Sequence, residues 1–176
     1  MPLYEAVVQY PLLAGGVVAS AASLTDITPL PQPSIPVNTL TVGDVYKVTA
    51  FGRYTCGATA TNCLIGFYLG STLVAGTLST QALTTSQTNA PWHLEYMFVV
   101  RATGTSGSVW GHGWVDLGTS VSATGHVPIP STANAAVTID TTAAQALGIK
   151  ATLSQVTGSP TITCDHMVVE NRTTRS

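Results

Sequence analysis

Charge is what this chain has least of. Of its 176 residues only 8% are Asp, Glu, Lys or Arg, against roughly 25% in ordinary globular proteins. The six basic residues, Lys47, Arg53, Arg101, Lys150, Arg172 and Arg175, are scattered. No basic stripe exists to neutralise phosphates, so nucleic-acid binding is not expected. Cysteine is scarce and odd in number, at Cys56, Cys63 and Cys164, whereas a disulfide-built secreted module carries a denser, even set. Buried free thiols are the expectation, with a Cys56–Cys63 bridge across a tight turn left open. Long apolar runs are also missing. Residues 6–24 come nearest, but Gln9, Pro11, Gly15, Gly16 and Ser20 interrupt them, which argues against a membrane span. The first five residues lack the positive start of an export signal.

Catalytic and metal-binding patterns are absent in the same way. There is no Gly-x-Ser-x-Gly elbow and no His-Glu-x-x-His helix. The four histidines, His93, His112, His126 and His166, are dispersed along the chain. His112 and Asp116 lie four apart, roughly 13 Å between Cα atoms on an extended strand, too far for a direct orienting hydrogen bond. Cys164-x-His166 would share one face of a regular strand, but Cys56 and Cys63 are spaced wider than a zinc knuckle. No enzyme activity, cofactor or metal is expected, and Cys164 reads as a core cysteine beside a partly buried histidine. The sequon Asn171-Arg172-Thr173 is a chance match without an export signal.

What the chain has instead is threonine, 28 residues of it, together with valine, glycine and proline. Thr and Val favour strands, Gly and Pro punctuate them, and the helix formers Glu, Lys and Arg are few. An all-β chain follows, an antiparallel β-sandwich or jelly roll of about eight strands. Residues 45–54, 64–69, 72–78, 92–101, 109–116, 135–140, 148–155 and 161–169 read as its strands. Residues 80–89 read as a connection between sheets or an edge, 118–131 as a long loop, and 141–147 as a possible helical turn. Residues 1–38 hold six of the ten prolines, so they are assigned to an extended arm rather than a central strand. The domain then spans 39–170, followed by a short tail, 171–176.

The richest stretch is 89–116, where all three tryptophans fall in one candidate hairpin. Trp92, Leu94, Tyr96, Phe98 and Val100 share one face of its first strand. On the return strand Trp110, His112 and Trp114 share a face. Burying Trp92, Trp110 and Trp114 gains most from their area, so they are assigned to the sandwich core. The alternative is a flat platform for sugars. Glu95 and Arg101 then fall on the opposite face, a candidate subunit interface. A surface so poor in charge is better suited to burial against other copies than to a free monomer.

The runs LTVGDVYKVTAFGRYT (40–55), IGFYLGSTLVA (65–75), NAPWHLEYMFVVRATGTSGSVWGHGWVDLGTS (89–120) and DTTAAQALGIKATLSQVTGSPTITCDHMVVE (140–170) resemble small structural proteins of tailed-bacteriophage virions, the capsid decoration, head-fibre and minor tail type. The resemblance covers residues 39–170 and consists of strand and turn signatures. It implies a jelly-roll module, commonly a homotrimer, placed on the outer capsid surface after assembly in the host bacterial cytoplasm. Its partners would be further copies and the shell of the major capsid protein. In that setting Tyr4, Tyr10, Leu12, Leu13, Val17, Leu30 and Ile35 are the arm residues expected to contact the shell or neighbouring copies. The rival expectation is a tail or fibre module that binds host-surface glycans, marked by exposed Trp110 and Trp114.

Overall fold

The computed structural model describes residues 17–19, 23–77, 81–120, 123–130, 135–155 and 157–173. Among them there is no helix, and every strand pairing is antiparallel. The elements are β1 (Val17–Ala19), β2 (Thr25–Asp26), β3 (Ser34–Ile35), β4 (Val45–Cys56), β5 (Thr61–Leu69), β6 (Thr72–Gly76) and β7 (Gln81–Leu83). They continue with β8 (Gln87–Ala102), β9 (Gly107–Ser120), β10 (Ala123–Ile129), β11 (Val137–Ile139), β12 (Gln145–Leu153) and β13 (Thr161–Asn171). One sheet runs β1-β13-β4-β8-β9-β10, with β11 on β9; the other runs β2-β12-β5-β6, with β3 on β12 and β7 on β5. The two sheets form a β-sandwich.

Alternation decides the core. Along β4 every second residue from Tyr46 to Cys56 is buried, and along β8 every second residue from Ala90 to Val100, as a strand with one covered face requires. The facing sheet supplies Ile65, Phe67, Leu69, Leu147, Ile149, Ala151 and Leu153. Aromatic rings fill the middle: Phe67 lies 6.0 Å from Tyr96 and 5.9 Å from Phe98, ring centre to ring centre, within the range where such pairs attract. All three cysteines are buried and free, so no Cys56–Cys63 bridge forms. The reason is placement: Cys56 ends a strand of one sheet and Cys63 lies in the other.

Several boundaries differ from the sequence expectation. The arm does not extend to residue 38. β2 and β3 pair with β12, Ile27 and Ile35 lie in the core, and the Ile27 amide donates to the Ile149 carbonyl at 2.9 Å. The prolines allow this because β2 and β3 contain none of them and are only two residues long. Ile35 is therefore a core residue, while Leu30 stays exposed. Val17 lies in β1, paired to Thr163; Tyr4, Tyr10, Leu12 and Leu13 lie outside the described residues. Residues 118–131 are not one long loop, since β9 runs on to Ser120 and β10 follows at once. The stretch 141–147 forms no helical turn: the Asp140 carboxylate accepts from the Thr142 amide (2.9 Å) and hydroxyl (2.6 Å), closing a local turn that hands the chain to β12. Of the stretch read as a connection or an edge, 81–83 form the short strand β7 on β5 and 87–89 open β8. At the end of the chain, the Arg172 amide and the Thr173 hydroxyl both bond to Val45 (2.7 and 2.9 Å), so the ordered body outlasts residue 170.

Candidate interaction face

The outer face of the larger sheet gathers the residues the sequence singled out. Antiparallel register sets Trp92 opposite Leu117, Leu94 opposite Val115, Tyr96 opposite Gly113 and Phe98 opposite Gly111. Directly paired residues share a face, so the core side of β9 is Val109, Gly111, Gly113, Val115 and Leu117. Trp110, His112, Trp114 and Asp116 then point outward. The sequence reading put all three tryptophans in the core, and the structure corrects it for two of them. Trp92 is fully buried, Trp110 is 39% exposed, and Trp114 is half-buried. A bulge between Val100 and Ala102 is the cause. Without its extra residue the hairpin would pair even-numbered positions with even-numbered ones, and Trp110 would join Trp92 inside. Glycines at 111 and 113 make the observed choice possible, because a Cβ at Gly111 would sit 2.7 Å from the Phe98 Cα. The volume beside Tyr96 and Phe98 is already taken.

Across the sheet the register lines up His166 (β13), Phe51 (β4), His93 (β8), Asp116 (β9) and His126 (β10) in one row. Parallel rows hold Val168, Thr49, Glu95, Trp114 and Pro128, then Glu170, Lys47, Met97 and His112. All four histidines of the chain are thus on this one face. The Phe51 ring lies 5.0 Å from the His166 ring, and Trp114 5.9 Å from His126. Phe51, Met97 and Trp110 are 46%, 44% and 39% exposed, although β4 and β8 are the middle strands of the sheet. Those three side chains leave about 250 Å² of mostly apolar surface in water, worth about 6 kcal/mol if covered, before the cost of association.

Each acid on the face has a base beside it. Lys47 pairs with Glu95 at 2.9 Å, Arg53 with Asp165 at 3.5 Å, His126 Nδ1 with Asp116 at 2.7 Å, and Arg172 with Glu170 at 2.5 Å. Exposed pairs of this kind add little stability, and the three with a Lys or Arg offset the charge of Glu95, Asp165 and Glu170. Glu95 therefore lies on the face expected of it, engaged with its own chain's Lys47, and Arg101 stands exposed near the edge of the same face. His112 and Asp116, four apart on one strand, do not meet. Asp116 meets His126 instead, a contact hidden in the sequence because 118–131 read as a loop.

Cys164 and His166 do not share a face either. A bulge between them turns Cys164 into the core and His166 outward beside Phe51. Burial pushes the Cys164 and Cys63 thiols up to about 12, so neither offers a thiolate for chemistry at neutral pH. Among the described residues no group of three or more His, Cys, Asp or Glu side chains is placed to hold a metal ion, and no helix is long and apolar enough to cross a membrane. The outer face of the smaller sheet carries a shallow open hollow of about 130 Å³ between Leu24, Leu64, Tyr68, Leu73 and Lys150. The Lys150 ammonium lies 4.8 Å from the Tyr68 ring centre, and no set of acid, base and nucleophile converges there. Comparison with protein-family models, with curated proteins and with solved structures returns no match.

Proposed function

We propose that this chain is a non-enzymatic structural protein of a tailed-bacteriophage virion, a capsid decoration protein that assembles as a homotrimer on the outer head surface. The observation that carries the reading is the face just described, where Phe51, Met97 and Trp110 stand in water among ion pairs made within the chain. Such a surface gains by being covered. The resemblance of residues 39–170 to phage virion proteins supports the same reading, and so does an all-β sandwich of two antiparallel sheets. On this reading the protein cements the shell: copies bury surface across joints of the major capsid protein lattice, so the shell resists internal pressure.

The arm that reaches the shell is then the segment before β1, with Tyr4, Tyr10, Leu12 and Leu13 as its apolar contacts. Because β2 and β3 belong to the body, the informative truncation removes residues 1–16 and not 1–36. The truncated protein should keep its circular dichroism spectrum and thermal midpoint yet fail to co-sediment with shells of its cognate major capsid protein. Normal decoration by that truncation would refute the role given to the arm.

A second reading has a specific observation in its favour. Exposed Trp110 shares a face with half-buried Trp114, whose ring lies 5.9 Å from that of His126, and flat rings of this kind favour a sugar platform on a tail or fibre module. Titrating tryptophan emission with a glycan panel distinguishes the two, and the absence of any shift would remove the sugar reading.

A further inference from the structure

Register builds the hollow on the outer face of the smaller sheet. Directly paired residues share a face, and one row across the sheet reads Asp26 (β2), Lys150 (β12), Gly66 (β5) and Gly76 (β6). The next row holds Gly148, Tyr68 and Leu73, and Leu64 lies on the other side of Gly66 along the same strand face. Two glycines in succession therefore leave the sheet bare beside a lysine. Leu73 leans over part of that floor, since a Cβ at Gly66 would lie 2.7 Å from its Cδ1 and one at Gly76 3.0 Å. What stays open is about 130 Å³, walled by Leu24, Leu64, Tyr68 and Leu73 with Lys150 at the side. Leu24 and Leu73 are 49% and 38% exposed, so apolar wall as well as floor meets water.

Lys150 lacks the partner that three other cations have. Lys47, Arg53 and Arg172 each hold an acid at 3.5 Å or less, whereas Lys150 has no ion pair among the described residues. Asp26, its neighbour in register, gives its carboxylate to the Thr28 amide at 2.9 Å and to the Thr28 hydroxyl. The Lys150 ammonium lies instead 4.8 Å from the Tyr68 ring centre. That contact holds the cation beside the hollow without cancelling its charge.

An apolar hollow with one unpaired positive charge selects its ligand by chemistry. A hydrocarbon body gains by leaving water against Leu24, Leu64 and Leu73, and the ammonium favours one anionic group within hydrogen-bond reach. A phosphoryl group is better held by several converging amides or by a guanidinium fork, and this hollow offers one ammonium. We infer that the hollow binds a small carboxylic acid in its ionised form, with the carboxylate on Lys150 Nζ and a compact hydrocarbon body over Gly66 and Gly76. The space takes about four water-sized groups, so a body of about four carbons beyond the carboxylate fills it. The site lies on the sheet opposite Phe51 and Met97 and does not depend on assembly.

The test is methyl NMR on the full chain with labelled leucines, titrated with sodium pentanoate at about pH 7.5, where the acid is ionised. The Leu24, Leu64 and Leu73 signals should shift and saturate, with a dissociation constant on the order of 1–10 mM, as expected of so few heavy atoms. Pentanamide has nearly the same body without the charge and should bind at least about tenfold more weakly. Lys150→Gln should weaken pentanoate by a similar factor. Acetate, a head without a body, should also bind at least about tenfold more weakly than pentanoate. Equal binding of pentanoate and pentanamide overturns the carboxylate site, and so does a Lys150→Gln protein that binds pentanoate as the wild type does. Acetate binding as tightly as pentanoate overturns the role of the hollow. Shifts that never saturate, or that spread evenly over leucines far from the hollow, overturn the site altogether. Should Lys150→Gln fail to fold, the comparison of pentanoate with pentanamide on the wild type decides.

Discussion

Trp92 on β8 reaches across β4 to a third strand, and the crossing is possible only because β4 has no side chain at Gly52. The indole N–H donates to the Thr163 carbonyl of β13 at 2.9 Å, fully buried. A Cβ at Gly52 would lie 1.9 Å from that carbonyl oxygen and 2.9 Å from the indole nitrogen. Gly52→Ala therefore forces either the strands or the indole to move. Overfilling a packed core costs about 1–3 kcal/mol, and stranding a buried donor and acceptor costs about 1–3 kcal/mol more. The sum, about 2–6 kcal/mol, is a large share of the roughly 5–15 kcal/mol that holds a domain folded. With a urea slope of about 1–3 kcal/mol/M, a loss near the lower end moves the unfolding midpoint down by about 1–2 M. The assay is equilibrium urea unfolding followed by tryptophan emission and circular dichroism together. Trp92→Phe keeps a ring and loses the donor, so alone it should cost about 1–3 kcal/mol, but much less in the Gly52→Ala background. The coupling should be at least about 1 kcal/mol. Additive effects, or a Gly52→Ala stability within about 0.5 kcal/mol of wild type, would refute the three-strand bridge.

Other consequences follow from burial and local bonding. Cys63 and Cys164 should resist thiol labelling at pH 8 in the native state and react on denaturation, read by peptide mapping; rapid native labelling would contradict their burial. Their raised folded-state values, about 12 against an ordinary 9.0, mean the folded chain holds protons that the unfolded chain releases. Stability should thus be intact below about pH 9 and fall progressively between there and about pH 12. Asp140 has the opposite sign. The Thr142 hydroxyl and amide hold its carboxyl below the ordinary 3.8, so its contribution is present above that value and lost as pH falls through the folded one. Asp140→Asn should therefore lose less stability than wild type across the acid limb, measured by thermal melts. Trp110→Phe should remove the most quenchable emission and leave monomer stability within about 0.5 kcal/mol.

Much of the body could be read from residue order because it depends on local chemistry. In Val45 to Tyr54 and Trp92 to Arg101 successive residues point to opposite sides, and each strand appeared with its inner and outer sets separated as that period demands. The short strands β2, β3 and β7 could not be read. They are two or three residues long and exist only because β12 or β5 offers them hydrogen bonds. The candidate site was visible in part. Trp110, Trp114, Glu95 and Arg101 were recognised, and period-2 alternation already puts His93 and Met97 on the face of Glu95, but His126 joins them through the β9–β10 pairing and Phe51 and His166 only through pairings of strands far apart in the chain.

Composition and alternation by themselves determined that this protein is all-β, poor in charge, and built around the hairpin that carries its tryptophans. They also determined which residues of each strand stand together. They could not determine which set faces inward, because a one-residue bulge between Val100 and Ala102 shifts the pairing, and with period-2 alternation a shift of one exchanges the faces entirely. That choice rests on volume. Tyr96, Phe98 and Phe67 already fill the layer, Gly111 and Gly113 make room for them, and Trp110 and Trp114 are left on the outside.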